Sequence, residues 1–155
     1  MYVFDNSPLS TLFKNYYPAR FPTLWNRFNS LIKDGAIIST REVVREINDS
    51  SIDTLRTWAK DNPDLFPSPT AMEAEYVAKI FSVGHFQQNI EMQKLLRGGK
   101  NADPFVVAKG AVEKRAVVTM EKFKANAAKI PNICKHFDVS CLSLEEFMEK
   151  EGWSF

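Results

Sequence analysis

The chain has 155 residues, of which 45% are hydrophobic and 25% are charged, and its formal net charge is +1. This composition is typical of a folded globular domain and excludes a predominantly disordered chain. Two cysteines, Cys134 and Cys141, are too few for a disulfide framework or a zinc site, and no apolar run approaches the roughly 20 residues that cross a bilayer.

The first residues, MYVFDNSPLS, lack the basic segment and the long apolar segment of a signal peptide. We therefore expect a cytoplasmic protein that has no membrane partner. A length of 155 residues fits a single domain that covers residues 1–155.

Short apolar runs alternate with helical patterns in the first half of the chain. The run at residues 2–4 predicts a buried strand that stops at Asp5, and Ser7 with Pro8 predicts the start of a helix that extends toward Tyr16. The next predicted elements are a helix over 23–33, a strand over 36–38, a helix over 39–47 and a helix over 51–60. Ser39 followed by Glu42 predicts a capping box at the start of the 39–47 helix.

In the second half, helical spacing predicts a long helix over about residues 70–96, which Gly84 can interrupt. Asp103 followed by Pro104 predicts the start of a helix through Glu113. The remaining predicted elements are strands over 116–119 and 139–142 and a last helix over 143–150. Strands that are separated by helices favour crossover connections, so we expect an α/β fold, a three-layer α/β/α sandwich around a central parallel sheet.

Four acidic residues stand where predicted strands give way to helices: Asp5, Glu46, Asp103 and Glu121. In a parallel α/β sheet these positions meet at the carboxyl edge, where such folds bind their ligands. Carboxylates gathered there repel one another unless a hard cation neutralises them, so the pattern predicts a Mg²⁺ or Mn²⁺ site.

Each of these acids also has a purely local interpretation. Asp5 can form an Asx-turn, Glu46 can pair with Arg41 or Arg45, and Asp103 can cap a helix. Glu121 can be a solvated loop acid. Only their shared placement favours a common site.

Charge is distributed unevenly along the chain. Residues 94–135 contain ten Lys or Arg and three acids, a net charge of +7, and the remainder carries −6. A basic segment that encloses two of the candidate metal ligands suits a polyanionic substrate, although a solvated lysine-rich helix face explains the charge equally well.

The residues around the four acids resemble the motifs of the PIN-domain nucleases. The segments that carry this resemblance are VFDNSPLS, STREVVREI, NADPFVVAKGAV and AVVTMEKF. Their order and spacing cover essentially the whole chain and are similar to small, single-domain bacterial PIN-like proteins of the toxin type. The chain departs from the usual pattern at Glu121, where many members carry Asp or Asn.

This resemblance implies a metal-dependent endoribonuclease, often the toxin of a bacterial toxin–antitoxin pair, with an antitoxin protein as a partner and frequently a homodimer. Asp5, Glu46, Asp103 and Glu121 would then be the catalytic residues and would hold Mg²⁺ or Mn²⁺. We expect Ser7, Thr119 and Glu42 to orient these carboxylates, and Lys122, Lys124 and Lys129 to contact the phosphates of an RNA substrate.

Several other functions stay open at this point. A catalytically degenerate PIN-like module that binds RNA or protein would keep the scaffold and lose the chemistry. A nuclease acting on DNA or flap structures would use the same acids. The sequence contains no phosphate-binding G-x-x-x-x-G-K-[ST] loop and no G-x-S-x-G nucleophile elbow, which leaves carboxylate-bound metal as the favoured route to hydrolysis.

Overall fold

The computed structural model describes all residues from 1 to 155. Its strands are β1 (Tyr2–Phe4), β2 (Ile37–Ile38), β3 (Ala116–Val118) and β4 (Cys141–Leu142). Its helices are α1 (Asn6–Asn15), α2 (Pro22–Lys33), α3 (Arg41–Ile47), α4 (Asp53–Asp61), α5 (Ala71–Phe81), α6 (Gly84–Leu96), α7 (Asp103–Glu113), α8 (Ile130–Phe137) and α9 (Leu144–Lys150). A short 3₁₀ turn, Pro63–Leu65, follows α4.

The four strands form one parallel sheet in the order β2-β1-β3-β4. Tyr2 is aligned with Ile37 on one side and with Ala116 on the other. Parallel neighbours require crossover connections, and the helices between the strands supply them. The predicted α/β class and its central parallel sheet are therefore confirmed.

Helices cover both faces of the sheet. On one face, Phe4 contacts Phe28 of α2 and Phe147 of α9, with ring centroids 5.4 and 5.0 Å apart. On the other face, Val117 lies so close to α7 that a Cβ at Gly110 would stand 2.7 Å from its Cγ2 atom. Phe4, Phe28, Val117 and Phe147 are fully buried, and burial of each such side chain stabilises the fold by about 1.5–3 kcal/mol. The fold is thus a three-layer α/β/α sandwich.

The predicted helix over residues 70–96 is two helices. Val83 adopts an extended conformation (φ −82°, ψ 108°) between them, and Gly84 is the first residue of α6. The expected capping box over Ser39 and Glu42 is wrong as well, because Thr40 is the N-cap of α3 and its side chain accepts from the Val43 N–H. Ser39 instead donates to the carbonyl oxygen of Phe4 at 2.7 Å, which ties the start of α3 to the end of β1.

Two further elements differ from the expectation. Ser7 lies inside the first turn of α1, and the N-cap position belongs to Asp5, whose side chain does not cap the helix. Helix α8 was not predicted, although Pro131 stands in its first turn, where proline is favourable. The displacement of the N-cap frees both Asp5 and Ser7 for contacts at the carboxyl edge of the sheet.

Candidate functional site

A cavity of about 440 Å³ opens at the carboxyl edge of the sheet, and no hydrophobic residue lines it. All four candidate acids line it together. The complete lining is Asp5, Asn6, Ser7, Ser10, Thr11, Lys14, Glu46, Arg97, Asp103 and Glu121. A wall made only of polar and charged side chains suits a charged ligand in water and does not suit an apolar one.

Asp5 is the most firmly held of the four acids. It follows β1 directly, is 4% exposed, and its backbone N–H donates to the carbonyl oxygen of Val118 at 3.0 Å. Its Oδ2 atom accepts from Ser7 Oγ at 3.0 Å and from Thr119 Oγ1 at 3.1 Å. Both hydroxyl groups thus hold the carboxylate of Asp5 in one orientation.

The same hydroxyl groups also position the loop after β3. The Met120 N–H donates to Ser7 Oγ, and the Glu121 N–H donates to Thr119 Oγ1. The carboxylate of Glu121 accepts from the Ile130 N–H at 2.9 Å, at the first residue of α8. A carboxylate at a helix N-terminus is stabilised there, so Glu121 is an anchored residue and not a freely solvated loop acid.

The other two acids come from the two layers of helices. Glu46 projects from the last turn of α3, and its side chain is 15% exposed. Asp103 is the first residue of α7 and is 2% exposed. The Oδ2 atom of Asp103 is buried without a hydrogen-bond partner, and a native structure rarely leaves such an atom unsatisfied.

Arg97, immediately after α6, contacts three of the four acids. Its guanidinium nitrogens lie 3.3 Å from Asp103 Oδ1, 3.5 Å from Glu121 Oε1 and 4.0 Å from Glu46 Oε2. Positive φ angles at Gly98 (66°) and Gly99 (85°) turn the chain sharply after it, a conformation that glycine adopts at low cost. Arg97 is therefore the main positive charge among the acids in this structure. It takes the place of Arg41 and Arg45, the partners suggested for Glu46.

Repulsion and burial shift the protonation of the acids. Burial raises the pKa of Asp5, and the charge of Glu121 adds to this, although hydrogen bonds from Asn6, Ser7 and Thr119 partly oppose it. Burial and the nearby charge of Asp5 raise the pKa of Glu46 to about 7, against the opposing effect of Arg97.

The pKa of Asp103 is raised more strongly. Burial and then the charges of Asp5 and Glu121 raise the pKa of Asp103 well above its ordinary value, and Arg97 only partly offsets them. The single guanidinium therefore does not neutralise the acids of the cavity.

The donor set fits a hard divalent cation. All four acids offer carboxylate oxygens, the ligands that Mg²⁺ and Mn²⁺ prefer, and one of those oxygens is buried without a partner. As placed, however, no three of the His, Cys, Asp and Glu side chains form a group that could hold a metal ion. Three of the acids contact the guanidinium of Arg97 instead, so a cation that binds these three carboxylates would compete with Arg97.

Other predicted site residues lie outside this cavity. Glu42 is buried, and its Oε1 atom accepts from Arg41 at 2.8 Å, facing a different pocket. Lys122 and Lys124 are exposed in the loop after β3, and Lys129 is the N-cap of α8. None of these four residues lines the cavity.

The cations that do line the cavity are Lys14 and Arg97, which the sequence interpretation did not select. The signal for Lys14 was available, because Asn6, Ser10 and Lys14 recur at helical spacing and form a polar stripe on α1. Ser10 donates to the side chain of Asn6 at 3.1 Å along this stripe. Arg97 has no comparable pattern in the sequence.

A second cavity, of about 410 Å³, lies at the opposite edge of the sheet. Asp138 is the only acid in its lining, which also includes Lys114, Arg115 and Lys150. The two cavities are similar in size, so the grouped carboxylates distinguish the first one, and the location agrees with the rule that parallel α/β sheets bind ligands at their carboxyl edge.

The fold and the cavity define an α/β protein with a carboxylate-lined pocket at the carboxyl edge of a parallel sheet. The chain belongs to the family described as domain of unknown function (DUF4411), which it matches over residues 2–155. No curated protein matches it. None of the helices combines the length and apolar character that a bilayer crossing requires.

Proposed function

We propose that this protein is a divalent-metal-dependent endoribonuclease of the PIN-like type. The observation that carries the proposal is the convergence of Asp5, Glu46, Asp103 and Glu121 on one cavity at the carboxyl edge of the sheet. Phosphodiester hydrolysis by metal-dependent nucleases uses such carboxylate sets. The resemblance of the sequence to PIN-domain motifs supports the same assignment.

In this proposal the four acids hold Mg²⁺ or Mn²⁺. A bound divalent cation supplies Lewis-acid stabilisation of charge on the phosphodiester and lowers the pKa of water. Ser7 and Thr119 keep Asp5 oriented through their hydrogen bonds to its Oδ2 atom, and such supporting contacts strengthen metal binding.

The substrate side of the cavity is formed by α1. Asn6, Ser10 and Thr11 offer neutral hydrogen-bonding groups, and Lys14 offers a cation at the far end of the same stripe. Groups of this kind bind phosphate and sugar oxygens without reading sequence. Lys122, Lys124 and Lys129 extend the positive surface from Glu121 toward α8 and would contact phosphates farther along the RNA.

Replacing Asp5 with Asn tests the proposal directly. The side chain keeps its size and its hydrogen bonds to Ser7 and Thr119 but loses the charge that a cation requires. Cleavage of an RNA pool in the presence of Mg²⁺ or Mn²⁺ should disappear, while RNA binding, measured by fluorescence anisotropy in EDTA, should be retained.

Asp34→Asn is the matched control, since Asp34 is exposed in the turn after α2, away from the cavity. It should cleave as the wild type does. Metal-dependent cleavage that survives in Asp5→Asn would remove Asp5 from the chemistry. If the wild type cleaves no RNA with either metal, the enzyme assignment is lost.

We further propose a role as a cytoplasmic toxin that a partner antitoxin protein blocks, with a homodimer as the assembly. Met92, Leu95 and Leu96 support a protein partner, because they are exposed side by side on α6, directly before Arg97. The same Asp5→Asn variant tests this role. Induced wild-type protein should arrest bacterial growth and the variant should not.

A catalytically inactive RNA- or protein-binding module is the second candidate. The specific observation in its favour is Arg97, which contacts three of the acids where a metal would bind. In such a module the guanidinium is the permanent counter-ion of the cavity. RNA binding that is unaffected by Mn²⁺, with no cleavage under any metal condition, would favour this candidate.

A further inference from the structure

A smaller pocket, distinct from the two cavities described above, lies beside the acidic cavity and is lined mainly by cations. It has a volume of about 210 Å³ and is lined by Arg41, Glu42, Arg45, Lys94, Gly99, Lys100, Asn101 and Phe105. Four cations and one acid thus surround a space below the size of pockets that enclose a whole drug-sized ligand. We propose that this pocket is a phosphate subsite, which holds an RNA phosphate next to the linkage in the acidic cavity.

Two segments of the chain line both pockets. Helix α3 directs Arg41, Glu42 and Arg45 toward the basic pocket and Glu46 toward the acidic cavity. The segment after α6 does the same, since the turn at Gly98 and Gly99 separates Arg97, on the acidic side, from Lys100, on the basic side.

Asn101 joins the two sites by hydrogen bonds. It lines the basic pocket, and its side-chain oxygen accepts from Arg97 at 3.0 Å and from the Asp103 N–H at 3.1 Å. A ligand in one pocket therefore lies directly beside the groups that line the other. Glu42 and Glu46 are four residues apart on α3, which corresponds to about 6 Å along a helix axis.

Much of the positive charge in the basic pocket has no partner. Arg41 is paired with Glu42, and Lys100 is paired with Asp49. Arg45 and Lys94 take part in no ion pair and are exposed to solvent. An unpaired guanidinium and an ammonium that face one small pocket are suited to a phosphate oxygen cluster.

This subsite rests on the proposed RNA substrate and gives that substrate a path. An RNA strand would place one phosphodiester linkage among the acids and a neighbouring phosphate at Arg45 and Lys94. Such a strand passes between α3 and the turn after α6. The acids repel phosphate, so the adjacent cations supply attraction that the acidic cavity lacks.

The test is RNA binding by the double variant Arg45→Gln with Lys94→Gln. The probe is a fluorescein-labelled, unstructured single-stranded RNA, and anisotropy is measured in EDTA over a range of KCl concentrations. Loss of the one phosphate contact in this pocket should lower the slope of log Kd against log salt by about 0.7, with affinity on the order of tenfold weaker at low salt.

Lys33→Gln with Lys60→Gln is the charge-matched control, because both lysines are exposed and lie outside the two pockets. It should bind with the wild-type slope. Circular dichroism spectra and thermal melts of both double variants establish that they are folded.

The outcomes separate the subsite from the enzyme proposal, because binding in EDTA requires no metal and no cleavage. A lower slope in the pocket variant alone supports the subsite, even if the wild type cleaves nothing. A wild-type slope in the pocket variant, an equal loss in the control, or a wild type that binds no RNA overturns the subsite. The first two of these results leave metal-dependent cleavage unaffected.

Discussion

Helix α7 contributes to two buried clusters of charge that differ in their balance. In its second half, the ammonium of Lys109 lies 3.1 Å from Glu73 and 2.7 Å from Glu113. Arg115 contacts Glu113 at 3.1 Å and also donates to the carbonyl oxygen of Gly35. Two cations here meet two anions, so the cluster is neutral as a whole.

At the first residue of α7 the balance is different. Asp103 shares its cavity with three further acids, and only Lys14 and Arg97 bring positive charge to its wall. Burial alone would raise the pKa of Glu113, yet hydrogen bonds and charge from Lys109 and Arg115 hold it below its ordinary value. Burial and neighbouring acids instead raise the pKa of Asp103 well above its ordinary value.

The comparison shows that buried charge alone does not mark a functional site. The neutral cluster joins α5 to α7 and is explained by structure. The acidic cavity retains an excess of negative charge, which costs stability and persists in a fold only where something compensates it. A bound cation is the compensation that we propose.

The largest expected effect comes from removing one acid from each cluster. Glu73→Gln removes one of the two carboxylates that pair with the buried ammonium of Lys109. The free energy of unfolding should therefore fall by about 3 kcal/mol. Glutamine can still complete the capping box at Thr70, which isolates the effect of charge. Asp103→Asn should instead raise the free energy of unfolding, on the order of 1 kcal/mol, because burial and the charges of Asp5 and Glu121 destabilise the Asp103 carboxylate in the folded protein. The measurement is urea denaturation in EDTA at pH 7.

A lower free energy of unfolding in Glu73→Gln and a higher one in Asp103→Asn would establish that the first cluster is neutral and the second has an excess of negative charge. A loss of stability in both variants would mean that Arg97 already neutralises the cavity, and the contrast between the clusters would then be wrong.

A smaller effect is expected from pH. The pKa of Glu46 is raised from 4.5 to about 7 by burial and by Asp5, so the folded protein binds a proton more tightly than the unfolded chain does. Between pH 4.5 and about pH 7, Glu46 is largely ionised in the unfolded chain and largely protonated in the folded protein. The free energy of unfolding therefore decreases as pH rises through this range. Denaturation curves in EDTA at pH 5 and pH 8 measure this decrease. In Glu46→Gln it should be smaller, and an unchanged pH dependence would contradict the raised pKa.

Much of the fold followed from the sequence. Apolar runs such as Tyr2–Phe4 that stop at a polar residue predicted buried parallel strands, and the four acids were placed at one sheet edge by topology alone. The structure brings them to one cavity as that reasoning required.

The contacts within the site were harder to predict from the sequence. The position of Arg97 depends on the turn at Gly98 and Gly99 and on the packing of α6, which are tertiary features that helical periodicity does not encode. Glu42 was assigned by its capping-box spacing from Ser39, but the structure makes the next residue, Thr40, the true cap, and the residue three positions after Thr40 is Val43. Local patterns thus located the acids but not their counter-ions.

Binding of Mn²⁺, followed by isothermal titration calorimetry at pH 7.5, tests the central claim most directly. Wild-type protein should bind Mn²⁺, Asp5→Asn should bind it more weakly by on the order of 100-fold, and Arg97→Gln should bind it more tightly because a competitor for the same carboxylates is gone. If neither the wild type nor Arg97→Gln binds Mn²⁺, the cavity does not hold a metal ion and the proposed enzyme is contradicted.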